Sequence, residues 1–412
     1  MQQKSLDGSR SWQLPRGLSG FRFSVSMRPK GRDWLVSGCL FVVLVLGAEP
    51  KASAQLTILH NFGDGTVPND GAVPIGGLVL APDGRFYGAT LFSAATSRSG
   101  SVFFQMTRAG ALSIVASFKW AYAIDTPIYY NGELIGTRIN PHIKSAHPGL
   151  LYALTPNSSG PWNLERWHVF GPPPAGRSPL GRLIPGADGN LYGITYQGGS
   201  AKYGTIYKVD PSTHQVTFVY SFTGPSPAIS PNTTLLLAND GNFYGGTGAF
   251  PGEIYKMTAA GQVTTVYQFS GTEYPTGPLI QGSDGNFYGT AAGGPSDEEY
   301  VFQLTIGGVA TVLHTFKSRP HMPFDTQGLI QGPNGNLYGL TVGGGTANWG
   351  TVYELSTDGS SFNVLHNFDD GSIQNDGRAP VGILTVGPDK NLYGETQSGG
   401  SAGKGTLFRI SP

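Results

Sequence analysis

The stretch Leu279–Thr290, Leu-Ile-Gln-Gly-Ser-Asp-Gly-Asn-Phe-Tyr-Gly-Thr, decides how the whole chain is interpreted. Its apolar ends are typical of short β-strands, and the Asp-Gly pair between them is a strong signal for a tight hairpin turn. Related stretches recur at intervals of 44 to 57 residues. Their Tyr-Gly pairs begin at Tyr87, Tyr192, Tyr244, Tyr288, Tyr338 and Tyr393, and a degenerate copy is Leu134-Ile135-Gly136. This spacing predicts an array of supersecondary units.

Each repeat continues with a Gly-Thr-Val-Tyr-type strand and a Val-Leu-His-x-Phe-type strand, which gives four strands in all. One copy of the fourth type, Ile58–Phe62, comes before the first hairpin, and the sequence ends on a third-type strand, Gly405–Ile410. We therefore predict an all-β fold, a seven-bladed β-propeller with four-stranded antiparallel blades, closed by the N-terminal strand completing the last blade. An open β-solenoid is the alternative, but the displaced strand would have no purpose there.

Two details of packing are also predicted. A glycine in the middle of a strand costs stability unless a neighbour needs the space, so we expect each Tyr ring to pack over the Gly backbone of the neighbouring blade. The second repeat lacks both the Tyr-Gly and the Gly-Thr signature, so we expect it to be the least regular.

Residues 1–54 have the features of a leader with a secretory signal peptide. Met27 is the predicted start, a basic segment follows it, and Leu35–Gly47 is an apolar run too short for an ordinary membrane span. Ala52-Ser-Ala54 fits a signal-peptidase site, with cleavage after Ala54. The predicted mature protein is a single propeller domain, residues 55–412, that is secreted to the periplasm or the extracellular space.

Charge and cysteine content exclude several classes of function. The leader holds much of the positive charge, so residues 55–412 contain 18 Lys and Arg against 23 Asp and Glu. This balance argues against nucleic-acid binding. The single cysteine, Cys39, lies in the leader. The predicted mature chain therefore has no disulfide and no thiolate metal site.

Several of the repeats resemble those of a known family. The segments Asn190–Thr195, Asn286–Thr290, Asn336–Thr341 and Asn391–Thr396 are similar to the unit of the bacterial Gloeo/Verruco repeat (GloVer) family. The Gly-Gly loops that follow them support the resemblance. It implies an exported repeat protein, and the family offers no catalytic motif that could be transferred to this sequence.

Two loops of nearly identical sequence are candidates for a metal site. In a closed ring they would flank the last blade, and they gather the oxygen and glycine chemistry that Ca²⁺ prefers. The alternative is that Asp, Asn and Gly build only Asx-turns there. The candidate ligands are Asp64, Asn69, Asp70, Asp370, Asn375 and Asp376.

Histidines fall into two groups. His60, His168, His314 and His366 share one strand position with Tyr220 and Tyr267, which indicates a structural role. His142 and His321 lie outside the repeat pattern, in predicted loops, and are candidates for ligand binding or acid–base chemistry.

Further candidates stand in the Gly-Gly loops, where Tyr203, Trp349 and Lys404 occupy matching places. An exposed ring suits stacking on a sugar, and the alternative, which the pattern favours, is that the rings fill gaps between blades. Glu395 is a lone acidic residue after a Tyr-Gly pair, and the sequence does not show whether it faces water or the channel.

Two functions remain open from the sequence. The first is a monomeric, non-catalytic binding module for a glycan or an extracellular protein, acting through the loop face. The second is a secreted propeller hydrolase or lyase acting on glycans or lactones, with the loop aspartates, His142 and His321 as its metal or acid–base groups. Convergence of those groups near the central channel would distinguish the two.

Overall fold

The computed structural model describes residues 55–93, 100–118, 122–123, 127–139, 149–171, 175–224, 230–294, 298–316 and 327–412. The chain divides into two compact units, Met1–Lys51 and Ala52–Pro412, and all the described residues belong to the second. Across these ranges the regular structure is β-strand, and no helix is long and apolar enough to cross a membrane.

The strands form seven repeats, which we number in chain order after β1 (Leu56–Asn61). Repeat 1 contains β2 (Ala72–Leu80), β3 (Phe86–Phe92), β4 (Val102–Met106) and β5 (Leu112–Ser117). Repeat 2 contains β6 (Tyr122–Ala123), β7 (Ile128–Tyr130), β8 (Glu133–Ile139), β9 (Gly149–Thr155) and β10 (Asn163–Phe170). Repeat 3 contains β11 (Gly176–Pro185), β12 (Leu191–Gly198), β13 (Thr205–Val209) and β14 (Val216–Ser221).

The remaining repeats follow the same plan. Repeat 4 contains β15 (Leu236–Leu237), β16 (Phe243–Gly246), β17 (Glu253–Met257) and β18 (Val263–Gln268). Repeat 5 contains β19 (Tyr274–Pro275), β20 (Ile280–Gln281), β21 (Phe287–Gly293), β22 (Glu298–Leu304) and β23 (Ala310–Phe316). Repeat 6 contains β24 (Ile330–Gln331), β25 (Leu337–Thr341), β26 (Thr351–Leu355) and β27 (Phe362–Asn367). Repeat 7 contains β28 (Arg378–Val386), β29 (Leu392–Ser398) and β30 (Thr406–Ile410).

Neighbouring strands within a repeat pair antiparallel, and their order in the sheet follows the chain. In repeats 2 and 5 two short strands share the innermost position, because β6 and β7 both pair with β8, and β19 and β20 both pair with β21. Repeat 2 shares this departure with repeat 5, and the expectation that repeat 2 is the least regular stays a prediction.

The first and last repeats are joined in two places. Strand β1 pairs antiparallel with β30, so that Ile58 lies opposite Phe408 and repeat 7 gains its fourth strand. Gly77 of β2 also forms a parallel bridge with Ile383 of β28. The two repeats therefore make one eight-stranded sheet.

The core lies between consecutive repeats. The described residues contain seven clusters of buried apolar side chains, and each cluster combines residues from two repeats. Tyr192 of repeat 3, for example, packs at 4.3 Å between ring centroids on Phe243 of repeat 4. The seventh cluster joins repeat 7 to repeat 1, where Tyr393 stacks on Phe86 at 4.1 Å.

The acidic residue of the hairpin turn is fixed by the residues that follow it. In the stretch quoted first, Asp284 Oδ1 accepts a hydrogen bond from the Asn286 N–H at 3.1 Å. The Tyr288 hydroxyl donates to Asp284 Oδ2 at 2.7 Å. The Asp-Gly-Asn-x-Tyr spacing is therefore a hydrogen-bonded turn that also orients the buried tyrosine ring.

The glycine after each tyrosine makes room for an aromatic ring on the third strand of its own repeat, and not for the tyrosine of a neighbouring repeat. A Cβ added to Gly193 would lie 2.6 Å from Tyr207 Cζ, and Tyr207 is the residue paired with Gly193 on the third strand of the same repeat. Gly289 and Phe302 of repeat 5 show the same relation. The prediction that the Tyr ring covers the glycine of a neighbouring blade is wrong, because the ring of the adjacent strand already occupies that space.

The fourth strand repeats one aromatic contact. His60 packs edge-on against Phe62 with 5.0 Å between ring centroids, and Tyr267 packs on Phe269 at the same distance and nearly the same angle. Burial lowers the pKa of His168 and of His314 at this position. The structural role predicted for these histidines is confirmed by this shared geometry.

Candidate functional site

A cavity of about 340 Å³ lies where the innermost strands of five repeats come together. Its wall is formed by repeats 1, 4, 5, 6 and 7, including Gly76 of β2, Gly328 before β24 and Gly382 of β28. Gln397 lies near the end of β29, and Val342 directly follows β25. The cavity therefore lies near one end of the repeats, where the loops connect each second strand to its third strand.

The cavity wall is polar without carrying charge. Side-chain amides of Gln327 and Gln397 and the hydroxyls of Thr234 and Thr276 stand among glycine backbone and a few aliphatic side chains. Gln327 Oε1 accepts a hydrogen bond from the Gly382 N–H at 3.2 Å, which fixes one amide against the wall. Amides, hydroxyls and exposed backbone are groups that form hydrogen bonds with a neutral, hydroxyl-bearing ligand.

Glu395 lies close to this cavity, on the same strand as Gln397. It is fully buried between repeats 7 and 1, and its Oε1 accepts a hydrogen bond from the Gly77 N–H at 2.8 Å. Its Oε2 has no hydrogen-bond partner among the described residues. Burial raises the pKa of Glu395 to about 8, although the bond from Gly77 acts in the opposite direction.

Four other repeats carry Ala89, Ile194, Gly246 and Leu340 at the position of Glu395, and repeats 2 and 5 carry Thr137 and Thr290. The open question about Glu395 has a clear answer in the structure, since the carboxyl faces neither water nor the open channel. Because both oxygens are enclosed, a ligand in the cavity does not reach them. Glu395 is therefore part of the contact between the first and last repeats, and the ligand-facing groups are the neutral ones.

In each of the two loops of nearly identical sequence, one aspartate, Asp70 or Asp376, is hydrogen-bonded to a histidine on the fourth-type strand that precedes the loop. His60 Nε2 donates to Asp70 Oδ2 at 2.8 Å, and His366 Nε2 donates to Asp376 Oδ2 at 2.7 Å. Both carboxyl groups are buried and also accept backbone N–H bonds. Asp70 and Asp376 thus tie their loops to the fourth strand.

The outer aspartates of these loops form Asx-turns. Asp64 Oδ1 accepts from the Thr66 N–H at 2.8 Å, and Asp370 Oδ1 accepts from the Ser372 N–H at 2.9 Å. Asn69 and Asn375 both adopt φ of 60°, the left-handed conformation that asparagine tolerates. In the part of the chain that the structure describes, no three His, Cys, Asp or Glu side chains are grouped as a metal site would require. Both loops therefore contain Asx-turns, and Ca²⁺ binding by them stays a prediction.

The three Gly-Gly-loop residues share a backbone role. The carbonyl groups of Tyr203, Trp349 and Lys404 each accept a backbone hydrogen bond from the neighbouring repeat, donated by the N–H groups of Ser230, Ala379 and Val73 respectively. Tyr203 is 40% exposed as a residue and Trp349 is 42% exposed. The Arg378 guanidinium lies 4.8 Å from the Trp349 ring centroid, so Arg378 covers part of this ring. None of the three lines the central cavity.

Two of the predicted site residues, His142 and His321, lie outside the described residues. Among the candidates that are described, the structure does not bring the loop aspartates together with the cavity. Sequence reasoning missed Gln327 and Gln397, which line that cavity. A usable signal existed for Gln327, because it stands directly before the Gly-Leu-Ile motif that marks an innermost strand.

Comparison with solved structures gives the fold class. An oligogalacturonate lyase in complex with manganese superposes with a TM-score of 0.56 at 11% identity, covering 87% of this chain and 93% of that one. A puromycin hydrolase gives a TM-score of 0.53 at 14% identity, covering 78% of this chain and 50% of that one. The WD40 β-propeller domain of Doa1 gives 0.50 at 11% identity, covering 83% and 93%. These likenesses establish a β-propeller-like fold and nothing about activity.

Sequence comparison gives the family. No curated protein is similar enough to this sequence to count as a relative. The family model described as the Gloeobacter/Verrucomicrobia repeat matches residues 126–325 and 292–412, which together span most of the chain. These two matches cover repeats 2 to 7, including the Tyr-Gly hairpins and Gly-Gly loops from which the resemblance was first inferred. The chain belongs to the Gloeobacter/Verrucomicrobia repeat family.

Proposed function

We propose that this protein is an exported, seven-bladed β-propeller that acts as a monomeric binding module for a neutral, hydroxyl-rich ligand such as the end of a glycan chain. The ligand enters from the loop face and occupies the central cavity. The observation that carries the proposal is the character of that cavity, where amide, hydroxyl and glycine backbone groups from five repeats surround about 340 Å³.

The seven-bladed ring is supported by the core and by the strand pairing. Seven apolar clusters join the repeats in consecutive pairs, and one of these clusters joins repeat 7 to repeat 1. Pro74 of repeat 1 also packs on Gly405 of repeat 7, with its Cδ 2.6 Å from where a Cβ would stand. Pro231 packs in the same way on Gly204, between repeats 3 and 4. The proline–glycine contact between repeats 7 and 1 thus has the same form as the one between repeats 3 and 4.

The choice of ligand class follows from hydrogen-bonding capacity. A sugar offers several hydroxyl groups that both donate and accept, and the Gln397 amide can do both. The Thr276 hydroxyl, which donates to Thr290, can still accept, and the Thr234 hydroxyl, which accepts from the Arg182 N–H, can still donate. The wall contains no charged side chain in its described part. A strongly charged ligand would lose its hydration there without gaining an opposite charge.

Export is proposed from the leader. Its basic segment, its apolar run and the small residues ending at Ala54 support a signal peptide. The secreted protein should therefore begin at Gln55, which N-terminal sequencing of the exported material would test. Detection of the protein with its leader intact outside the cell would contradict this.

Ligand binding is tested with a glycan array followed by titration calorimetry of the best glycan. We expect Gln397→Leu to weaken binding at least tenfold, since it removes an amide from the cavity wall at similar volume. Gln105→Leu, on the exposed surface of repeat 1, is the matched control and should bind normally. The proposal fails if the array shows no glycan ligand, or if Gln397→Leu binds as tightly as the control.

A further inference from the structure

A second cavity, of about 280 Å³, lies between repeats 4 and 5 and is separate from the central one. Its apolar part is formed by Phe269 and Phe302, which are buried and pack with 5.5 Å between ring centroids. The half-buried rings of Tyr267 and Tyr300 stand beside them. Four aromatic residues from two repeats therefore line one recess.

Tyr300 is a departure from the repeat pattern. In repeats 3, 6 and 7 the equivalent pair on the second and third strands is Thr–Thr, as in Thr195 and Thr205, whose hydroxyls share a hydrogen bond of 2.7 Å. In repeat 5 the paired residues are Ala291 and Tyr300. A small residue opposite a large one replaces the hydrogen-bonded pair, and the large ring then lines the cavity. This difference is not needed to build the repeat.

Two carboxyl groups also line the cavity. Glu298 occupies the repeat position of Tyr203, Trp349 and Lys404, and Glu273 lies in the connection from repeat 4 to repeat 5. Glu273 Oε2 accepts a hydrogen bond from the Ser270 hydroxyl at 2.9 Å. Within the described ranges neither glutamate forms an ion pair, and no Lys or Arg lines the cavity.

Nearby tyrosines remain neutral hydrogen-bonding partners. Burial, with the negative charge of Glu273 as a further cause, raises the pKa of Tyr300, and the same two causes raise the pKa of Tyr267. At neutral pH the cavity thus presents aromatic rings, two phenolic hydroxyls and two carboxyl groups. Counting Glu273 and Glu298, the formal charge of the described lining is negative, and no described lining residue carries an opposite charge.

We propose that this cavity binds a primary ammonium group on a flexible aliphatic stem, as at the end of a lysine side chain of a partner protein. The ammonium supplies a positive charge that no described lining residue gives to Glu273 and Glu298, and aromatic rings attract cations through their negative faces. The aliphatic stem packs on the phenylalanine side chains. A neutral sugar would contact the rings but would leave both carboxyl groups without a counter-charge.

The inference is independent of the glycan proposal, because it uses a different cavity and a different ligand chemistry. It is tested on the mature protein with the peptide acetyl-Gly-Lys-Gly-amide as probe, followed by titration calorimetry at low ionic strength. The matched control peptide carries norleucine in place of lysine, which keeps the stem and removes the charge. We expect the lysine peptide to bind at least tenfold more tightly, and its binding to weaken as salt is added.

Variants then locate the site. Glu298→Gln and Glu273→Gln should each weaken lysine-peptide binding roughly tenfold, as expected for loss of one charge-assisted contact. The double variant Ala291→Thr, Tyr300→Thr restores the Thr–Thr pair of the other repeats and should abolish binding. Glu165→Gln, at an exposed carboxyl in repeat 2, controls for net charge and should bind as the wild type does.

Three results would overturn the proposal. Equal affinity for the lysine and norleucine peptides would show that charge is not recognised. Unchanged binding by Glu298→Gln would place the site elsewhere. Because Glu298 is half-exposed, its substitution should not disturb folding. Binding of free glucose with the affinity of the lysine peptide, and its loss in the double variant, would make the cavity a sugar site.

Discussion

Glu395 should make the stability of this protein fall as pH rises from about 5 to about 9. The carboxyl is fully buried, and its pKa is raised to about 8 from an ordinary value of 4.5. Between these values the folded protein holds a proton that the unfolded chain releases. Unfolding therefore releases a proton in this window, so the folded state is fully favoured at low pH and is weakened as pH increases through the window.

The size of the effect follows from the two pKa values. Each factor of ten in proton affinity corresponds to about 1.4 kcal/mol, so the interval between 4.5 and about 8 amounts to roughly 5 kcal/mol of unfolding free energy. Glu395→Gln removes the titration but keeps an oxygen that accepts the Gly77 N–H. We expect the variant to match the wild type within about 1 kcal/mol near pH 5. Near pH 9 it should be more stable by several kcal/mol.

Urea unfolding followed by tryptophan fluorescence, at a series of pH values, measures both proteins. The difference between them is the informative quantity, because the lowered pKa values of His168 and His314 change stability in the opposite direction and cancel in that difference. Glu253→Gln is the matched control, since Glu253 is equally buried but accepts hydrogen bonds at both carboxyl oxygens, from Thr265 and Gln268. Parallel pH curves for wild type and Glu395→Gln would refute the reasoning.

Three further outcomes are expected. Tyr207→Phe should leave the unfolding free energy unchanged or raise it by up to about 1 kcal/mol, because the buried Tyr207 hydroxyl has no partner among the described residues. A fall of more than about 1 kcal/mol in urea unfolding would contradict this and indicate that the hydroxyl is hydrogen-bonded. Gly193→Ala should lower Tm and cost about 1–3 kcal/mol, since its Cβ would overlap Tyr207, and a neutral result would contradict that close packing. Asp70→Asn should cost about 1–3 kcal/mol in urea unfolding, because it weakens the acceptor of the His60 ring N–H. Adding EDTA to the wild type should leave Tm unchanged, and a fall in Tm would support the calcium hypothesis instead.

Much of the fold could be inferred from the sequence because its determinants are local. The Asp-Gly turn, the Tyr-Gly hairpin and the displaced strand at Ile58 are each visible in a few adjacent residues, and β1 pairs with β30 as that displacement indicates. The ring that fills the space above each glycine could not be inferred in this way. It depends on which residue of the next strand lies opposite, and that register is set by the whole sheet.

The candidate sites were harder to infer for a related reason. Both faces of an inner strand are buried in these repeats, so alternation along β29 does not show which way Glu395 points. The hydrogen bond between Asp70 and His60 could not be inferred either, because the two residues are ten positions apart and lie on a loop and on β1. The lysine cavity rests on Ala291 standing opposite Tyr300, a pairing that single-sequence analysis does not supply.

The pairing of β1 with β30 has a consequence for how the protein reaches its folded state. The backbone N–H of Gln55 bonds the hydroxyl of Ser411 across a sequence separation of 356 residues, at the outer end of this strand pair. Contacts between such distant segments form slowly, because most of the chain must be ordered before the two ends meet. Until β1 arrives, β30 presents an unpaired edge that another chain could join. In a polypeptide that crosses a membrane N-terminus first, β1 would therefore remain unpaired until β30 has also crossed. A chaperone that covers the free edge of β30 before the two strands pair would raise the yield of folded protein.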